Sequence, residues 1–398
     1  MAKNNSDFFE NKKSWSEVKD ELLGCYLSPY FSKILTTKRP IYYIDAFAGK
    51  GMFDDGKPGS PIIALDIIES KKRSDTSSVF SYFIEKKYSN ELEKNIEKYS
   101  NKKVIKGKYE KVINDILKDK EECNVFIYID PFGIKSLRYA IFEELSKYNF
   151  YSIEILMNMN MFGCVRNACK ALNVDFDLEL EDMDDEIFPD EILEDKMKLV
   201  ETINQILGGD TWKKVVMEMK CGEIDGFEAE VRFAHEYSSN LRKLFKYVLN
   251  MPIRVKKGAR PKYRMIYATN HPDGCKLMND NMCTRWQALE ERQSYGQYSL
   301  FQIDVEENVI DGTALYELLD SKLKNQKEYV HLAVFLAELF VDIGIKYKSN
   351  EVCNQLKVLE HNGKIEVRRN PAYTDKLHKK SDFWEEKNGK TVEIRYKR

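Results

Sequence analysis

Short apolar runs alternating with amphipathic stretches dominate the first 160 residues. Runs at 41–47, 79–85, 103–106, 125–129 and 153–157 predict buried strands, because strands covered on both faces read as continuous hydrophobic segments. Between them, 62–68, 90–98, 110–117 and 137–147 have the spacing of amphipathic helices. Val18, Leu22, Leu23, Tyr26, Leu27, Phe31 and Ile34 place another helix ahead of the first strand. Ser60 reads as an N-cap with Pro61 at the first helical position. Strands alternating with helices imply right-handed crossovers and a parallel sheet with helices on both faces.

The pattern changes after residue 160. An acidic stretch at 175–195 reads as an insertion on the sheet's rim. A helix is expected over 233–249, then strands at 253–256 and 263–269 joined by a turn-rich segment, which together make an antiparallel hairpin. Beyond about residue 310, helices at 314–323, 330–341 and 350–361 and strands at 365–368 and 392–395 suggest a winged helix. The expected division is N-terminal helices over 1–40, an α/β domain over 41–305 with a helical and acidic insertion at about 161–250, and a winged-helix-like domain over 310–398. A parallel sheet finished by a hairpin is the layout of the Rossmann-like class I methyltransferase fold.

Composition narrows the function classes. The 398 residues are 43% hydrophobic and 32% charged, the profile of a globular chain. A net charge of −2 excludes a uniformly basic surface, so any polyanion site is local. Nine Lys or Arg and no acid fall within 241–264, among them Lys256, Lys257, Arg260, Lys262 and Arg264. From His361 onward, eleven bases face six acids. Both patches suit phosphate-backbone contacts with DNA or RNA; a solvated hairpin is the competing explanation for the first. No apolar run reaches the ~20 residues of a membrane span, and the N-terminus has no signal-peptide core, so a cytoplasmic protein is expected. The eight cysteines include no CxxC pair, which argues against structural zinc or a disulfide framework, and Cys164 and Cys169 read as buried packing.

The most informative local sequence follows the first strand: Asp45-Ala46-Phe47-Ala48-Gly49-Lys50-Gly51. Glycines there let the backbone approach a ligand at the carboxyl end of the strands. The next helix opens only at Ser60. That spacing suits a diphosphate poorly and a ligand without phosphate, such as S-adenosylmethionine, better. An ordinary structural turn is the alternative. Asp45, Phe47, Ala48, Gly49 and Gly51 are the candidate cofactor contacts, with Gly107 after the third strand. Glu85 ends the second strand, where an acid can accept both ribose hydroxyls. Asp130-Pro131-Phe132-Gly133 caps the fourth strand. Amino-group methyltransferases place an acid or amide followed by Pro-Pro-aromatic there, to hold the target amine and stack on its base. Asp130 and Pro131 keep the acceptor half; Phe132 and Gly133 alter the stacking half. No Pro-Cys pair stands at this strand end, so covalent thiol catalysis is not expected.

These segments, with Gly59-Ser60-Pro61, Tyr267-Ala268-Thr269-Asn270, Met278 and Val358-Leu359-Glu360-His361-Asn362-Gly363-Lys364-Ile365, resemble the three-Cys-motif partner protein (TcmP) family over nearly the whole chain. The resemblance implies a class I methyltransferase fold, S-adenosylmethionine as cofactor, and association with a separate radical-SAM-like protein bearing clustered cysteines. It supplies no substrate. Two functions remain open at this point: an N-methyltransferase acting on nucleic acid, and a non-catalytic binding or adaptor subunit serving that partner.

Overall fold

A computed structural model describes residues 14–71, 78–131, 133–175, 196–254, 261–295, 312–374, 378–387 and 389–397. They divide into two compact units, Met1–His271 and Pro272–Arg398.

In the first unit, helix α1 (Ser14–Ile34) precedes strand β1 (Ile41–Asp45). The chain then alternates through α2 (Ser60–Ser70), β2 (Val79–Glu85), α3 (Ser89–Asn95), β3 (Lys102–Lys106), α4 (Tyr109–Leu117), β4 (Asn124–Ile129), α5 (Tyr139–Ser146) and β5 (Ser152–Met159). Four helices follow, α6 (Met161–Ala171), α7 (Lys196–Leu207), α8 (Trp212–Lys220) and α9 (Gly226–Leu241). The hairpin β6 (Tyr247–Arg254) and β7 (Pro261–Thr269) completes the unit. The strand order is β3-β2-β1-β4-β5-β7-β6, with β1 to β5 parallel and β7 antiparallel to both neighbours. This is the class I methyltransferase fold.

Every position of β1, β4 and β5 is buried, which is why these strands read as unbroken apolar runs. Tyr42, Ile44, Val125, Ile127, Ile153, Ile155 and Met157 share one core with α4 to α9. On the other face α1 packs its Tyr26 and Tyr30 against Phe126, and Tyr26 also meets Tyr267.

Three sequence expectations need correction. The helix expected over 233–249 stops at Leu241, and Tyr247–Leu249 are already strand β6, paired with Tyr267–Thr269. Ser60 is not the N-cap: Gly59 holds that position, and the Ser60 hydroxyl is used elsewhere. Residues 272–295, which the expected boundary at 305 assigns to the α/β domain, form helix α10 (Pro272–Tyr295) in the second unit. Most of the acidic stretch, residues 176–195, lies outside the described residues.

The second unit continues with α11 (Gly312–Leu323), β8 (Val330–His331), α12 (Leu332–Ile343), α13 (Ser349–His361), β9 (Ile365–Asn370) and β10 (Thr391–Tyr396). Its three strands form a small antiparallel sheet in the order β8-β10-β9. Buried Leu332, Leu336, Phe340, Leu356 and Leu359 form its interior. No described helix in either unit is long and apolar enough to cross a membrane.

Candidate active site

In a doubly wound sheet, ligands bind beyond the carboxyl ends of the strands, at the point where the strand order reverses. Here that point lies between β1 and β4, which pair in register with Asp45 opposite Tyr128. Asp45 closes β1 and is fully buried. Its Oδ2 accepts the Ser60 hydroxyl at 2.6 Å and its Oδ1 accepts the Phe47 N–H at 3.2 Å. Burial pushes the carboxyl up to about 7. The Ser60 and Phe47 bonds oppose that rise, and the Asp130 and Asp20 charges add to it.

The turn after β1 is built on left-handed backbone, with φ of 60° at Gly49 and 78° at Gly51. Its own bonds hold it rigid. Gly59 N–H donates to the Gly51 carbonyl at 2.9 Å, and Asn95 Nδ2 donates to the Lys50 carbonyl at 2.9 Å. Ala48 N–H bonds the Ile84 carbonyl at 3.1 Å, tying the turn to β2. Phe47 places its ring 5.9 Å from that of Tyr109.

Glu85 reaches the same turn. Its Oε2 accepts Gly49 N–H at 2.9 Å, while Oε1 accepts Lys87 N–H at 2.6 Å and Tyr88 N–H at 3.1 Å. The carboxylate therefore fixes the glycine turn as well as facing the crevice. Gly107 N–H donates to the Glu85 backbone carbonyl at 3.2 Å, which places the β3 exit beside it.

Asp130 is the hub of a network that no sequence motif announced. Lys19, one of the most buried residues of α1, donates to both carboxylate oxygens, at 2.9 Å to Oδ1 and 2.7 Å to Oδ2. Asn158 of β5 donates its Nδ2 to Oδ1 at 2.7 Å. The Lys19 ammonium also lies 5.2 Å from the Tyr263 ring centroid. Pro131 follows at the rim; Phe132 lies outside the described residues. Asp45, the glycine turn, Glu85, Gly107 and Asp130 are thus brought to one end of the sheet. Lys19, Asn158 and Ser60 join them unannounced.

Arg264, expected to contact nucleic acid, is instead buried. Its Nε and Nη2 hold Glu230 Oε1 and Oε2 at 2.6 and 2.7 Å, and Nη1 donates to Asn250 at 2.8 Å. Glu230 is only 1% exposed, so this is a structural ion pair between β7 and α9. Lys256, Lys257, Arg260 and the Lys262 side chain lie outside the described residues. The thiols of Cys164 and Cys169 are buried, and burial raises Cys169 to about 11, as befits packing residues.

No protein-family model matches the chain, and no curated protein matches it. Among solved structures, the protein LPL1258 of Legionella pneumophila superposes with a TM-score of 0.40 at 12% identity, over 70% of this chain and 94% of that one. The plantazolicin methyltransferase BamL, solved with a desmethyl analogue and SAH, gives 0.33 at 14% identity, over 67% and 90%. The CurJ carbon methyltransferase gives 0.29 at 10% identity, over 58% and 49%. At these scores the overlays carry no chemistry, and the strand order itself defines the fold.

Proposed function

We propose that the protein is an S-adenosylmethionine-dependent methyltransferase of the TcmP type that methylates nitrogen in a nucleic acid. The observation that carries this reading is the convergence of Asp45, Glu85 and Asp130 on a glycine turn at the switch point of a class I sheet. The residues fit the cofactor. A Cβ on Gly59 would come within 3.3 Å of the Gly51 carbonyl, and Gly49 and Gly51 hold left-handed backbone, so the turn favours glycine. The acceptor oxygens of Asp45, Glu85 and Asp130 suit a ligand that brings an amino group and ribose hydroxyls rather than a diphosphate, which needs donors. When bound, S-adenosylmethionine supplies an electrophilic methyl group on a positively charged sulfur. Gly49 and Gly51 would hold its methionine part, and Glu85 would receive a ribose hydroxyl on the one Oε2 lone-pair direction its amide partners leave open. Asp130, with the Pro131 carbonyl, would orient the acceptor nitrogen.

The nucleic-acid part of the proposal draws on the second unit. After α10, its order of helix, strand, two helices and two strands is compatible with a winged helix. The exposed positions of α13 are Asn350, Asn354, Lys357, Val358 and His361, and Lys379 and Lys380 are exposed in the connection between β9 and β10, which also exposes Asp382 and Glu385. The amides and bases among them are side chains that read base edges and phosphates.

A second reading, a cofactor-binding adaptor for a radical-SAM-like three-Cys-motif protein, is favoured by one observation. Glu85 and Asp130 already have hydrogen-bond partners within the chain. Calorimetric titration of S-adenosylmethionine and SAH into the wild type and Gly49→Arg tests the pocket: micromolar binding abolished by the arginine is expected, and no binding by folded wild type refutes the proposal. Asp130→Ala then separates the readings, since a catalyst loses turnover while an adaptor retains its partner function.

A further inference from the structure

Resting on the cofactor reading above, Lys19 has a consequence for which acceptor the site takes. A bare carboxylate at the Asp130 position would favour an amine in its ammonium form, by charge attraction. An ammonium has no lone pair with which to attack a methyl group. In this protein Asp130 is not bare: Lys19 contacts both its oxygens from a side chain only 7% exposed, so the pair is close to electrically neutral. The hydrogen-bond inventory points the same way. Each carboxylate oxygen offers about two lone-pair directions. Among the described residues, Oδ1 receives Lys19 and Asn158, while Oδ2 receives Lys19 alone. One acceptor direction therefore remains on a side chain that is 26% exposed. Asn158 is buried and its Nδ2 holds Asp130 Oδ1, which fixes the carboxylate with Oδ2 left for a further donor.

We propose that Lys19 is a specificity-determining residue: by neutralising Asp130 it makes the acceptor place fit an uncharged NH2 group, such as the exocyclic amine of a nucleobase, and reject an alkylammonium. The two hydrogens of such an amine match the open direction on Asp130 Oδ2 and the Pro131 carbonyl. An alkylammonium would bring a second positive charge against Lys19.

Sinefungin, in which a protonated amine on carbon replaces the methyl-bearing sulfur of the cofactor, carries a cation to this place, whereas SAH carries none. The test is the ratio of sinefungin to SAH affinity, measured by calorimetry on the full chain. Lys19→Met leaves Asp130 unneutralised and should raise the ratio about tenfold or more, a factor small beside the attraction of unit charges at this range. Lys19→Arg should leave it near the wild-type value. Asp130→Asn, nearly isosteric, leaves Lys19 uncompensated and should lower the ratio by a similar factor. Opposite shifts cannot arise from a purely structural role, which would weaken both ligands together. A ratio unchanged in both folded variants overturns the proposal while leaving the cofactor reading intact. If Lys19→Met fails to fold, the Asp130→Asn ratio decides alone. Absence of SAH binding by the wild type overturns both.

Discussion

Glu154 offers a test of the sheet's energetics that does not depend on any functional reading. It sits in the middle of the apolar run of β5, 4% exposed, and faces α1 rather than the opposite core. The Tyr26 hydroxyl donates to its Oε2, and Tyr26 and Tyr267 share a bond of 2.9 Å between their own hydroxyls. Burial raises the Glu154 carboxyl from an ordinary 4.5 to about 7, although the Tyr26 and Tyr267 bonds pull it down. The native state thus holds this proton more tightly than the unfolded chain does. Stability from this group is fully present below about 4.5 and is lost as pH rises towards 7, after which it is flat. At about 1.4 kcal/mol per pH unit, the total loss is about 3 kcal/mol.

Glu154→Gln keeps the shape and the hydrogen-bonding capacity but carries no charge. Its advantage over wild type should grow by about 2 kcal/mol between pH 5 and pH 8, whatever constant offset the amide introduces. For a unit of this size that is about 5 °C in Tm. Differential scanning calorimetry of both proteins at pH 5, 6.5 and 8 reads it directly. Asp45, raised to about 7 by its own burial, titrates in both proteins and cancels from the comparison. Parallel Tm curves across that range would refute the argument that a dry carboxyl is carried in the sheet.

Other outcomes follow from single observations. Arg264→Met should destabilise the first unit by about 3–5 kcal/mol by stranding Glu230; urea denaturation checks it, and an unchanged midpoint would refute the view that this pair holds β7 to α9. Gly51→Ala, at φ 78° and with its methyl 2.9 Å from Leu92, should cost about 1–2 kcal/mol and weaken SAH binding more than it lowers Tm; calorimetry of both quantities decides. The pair Lys357→Ala and Lys379→Ala should reduce the salt dependence of binding to a DNA or RNA oligonucleotide by about two counterions, read by fluorescence anisotropy across a salt series; an unchanged slope removes α13 and the wing from the polyanion surface.

What was legible in the sequence and what was not divide along physical lines. Strands β1, β4 and β5 were readable because burial on both faces keeps most of their positions apolar, and the glycine turn because left-handed backbone selects glycine. Tyr247–Leu249 were misassigned because Leu241, Leu244, Phe245, Val248 and Leu249 keep a helical spacing; only pairing with β7 decides their state. Arg264 was misread by counting charge without parity. In β7 it shares its face with Ile266 and Ala268, both in the core, so alternation already sends it inward, where a charge requires a partner. Parity alone could have found that. Lys19 is different in kind. Helical spacing sets it on the same face as Leu22, Leu23, Tyr26 and Tyr30, which says that it is buried but not with what, and its role exists only because the sheet order lays α1 over the ends of β4 and β5. A site assembled from residues 111 positions apart in sequence is specified by topology, and topology is what the alternation of elements establishes before any motif is read.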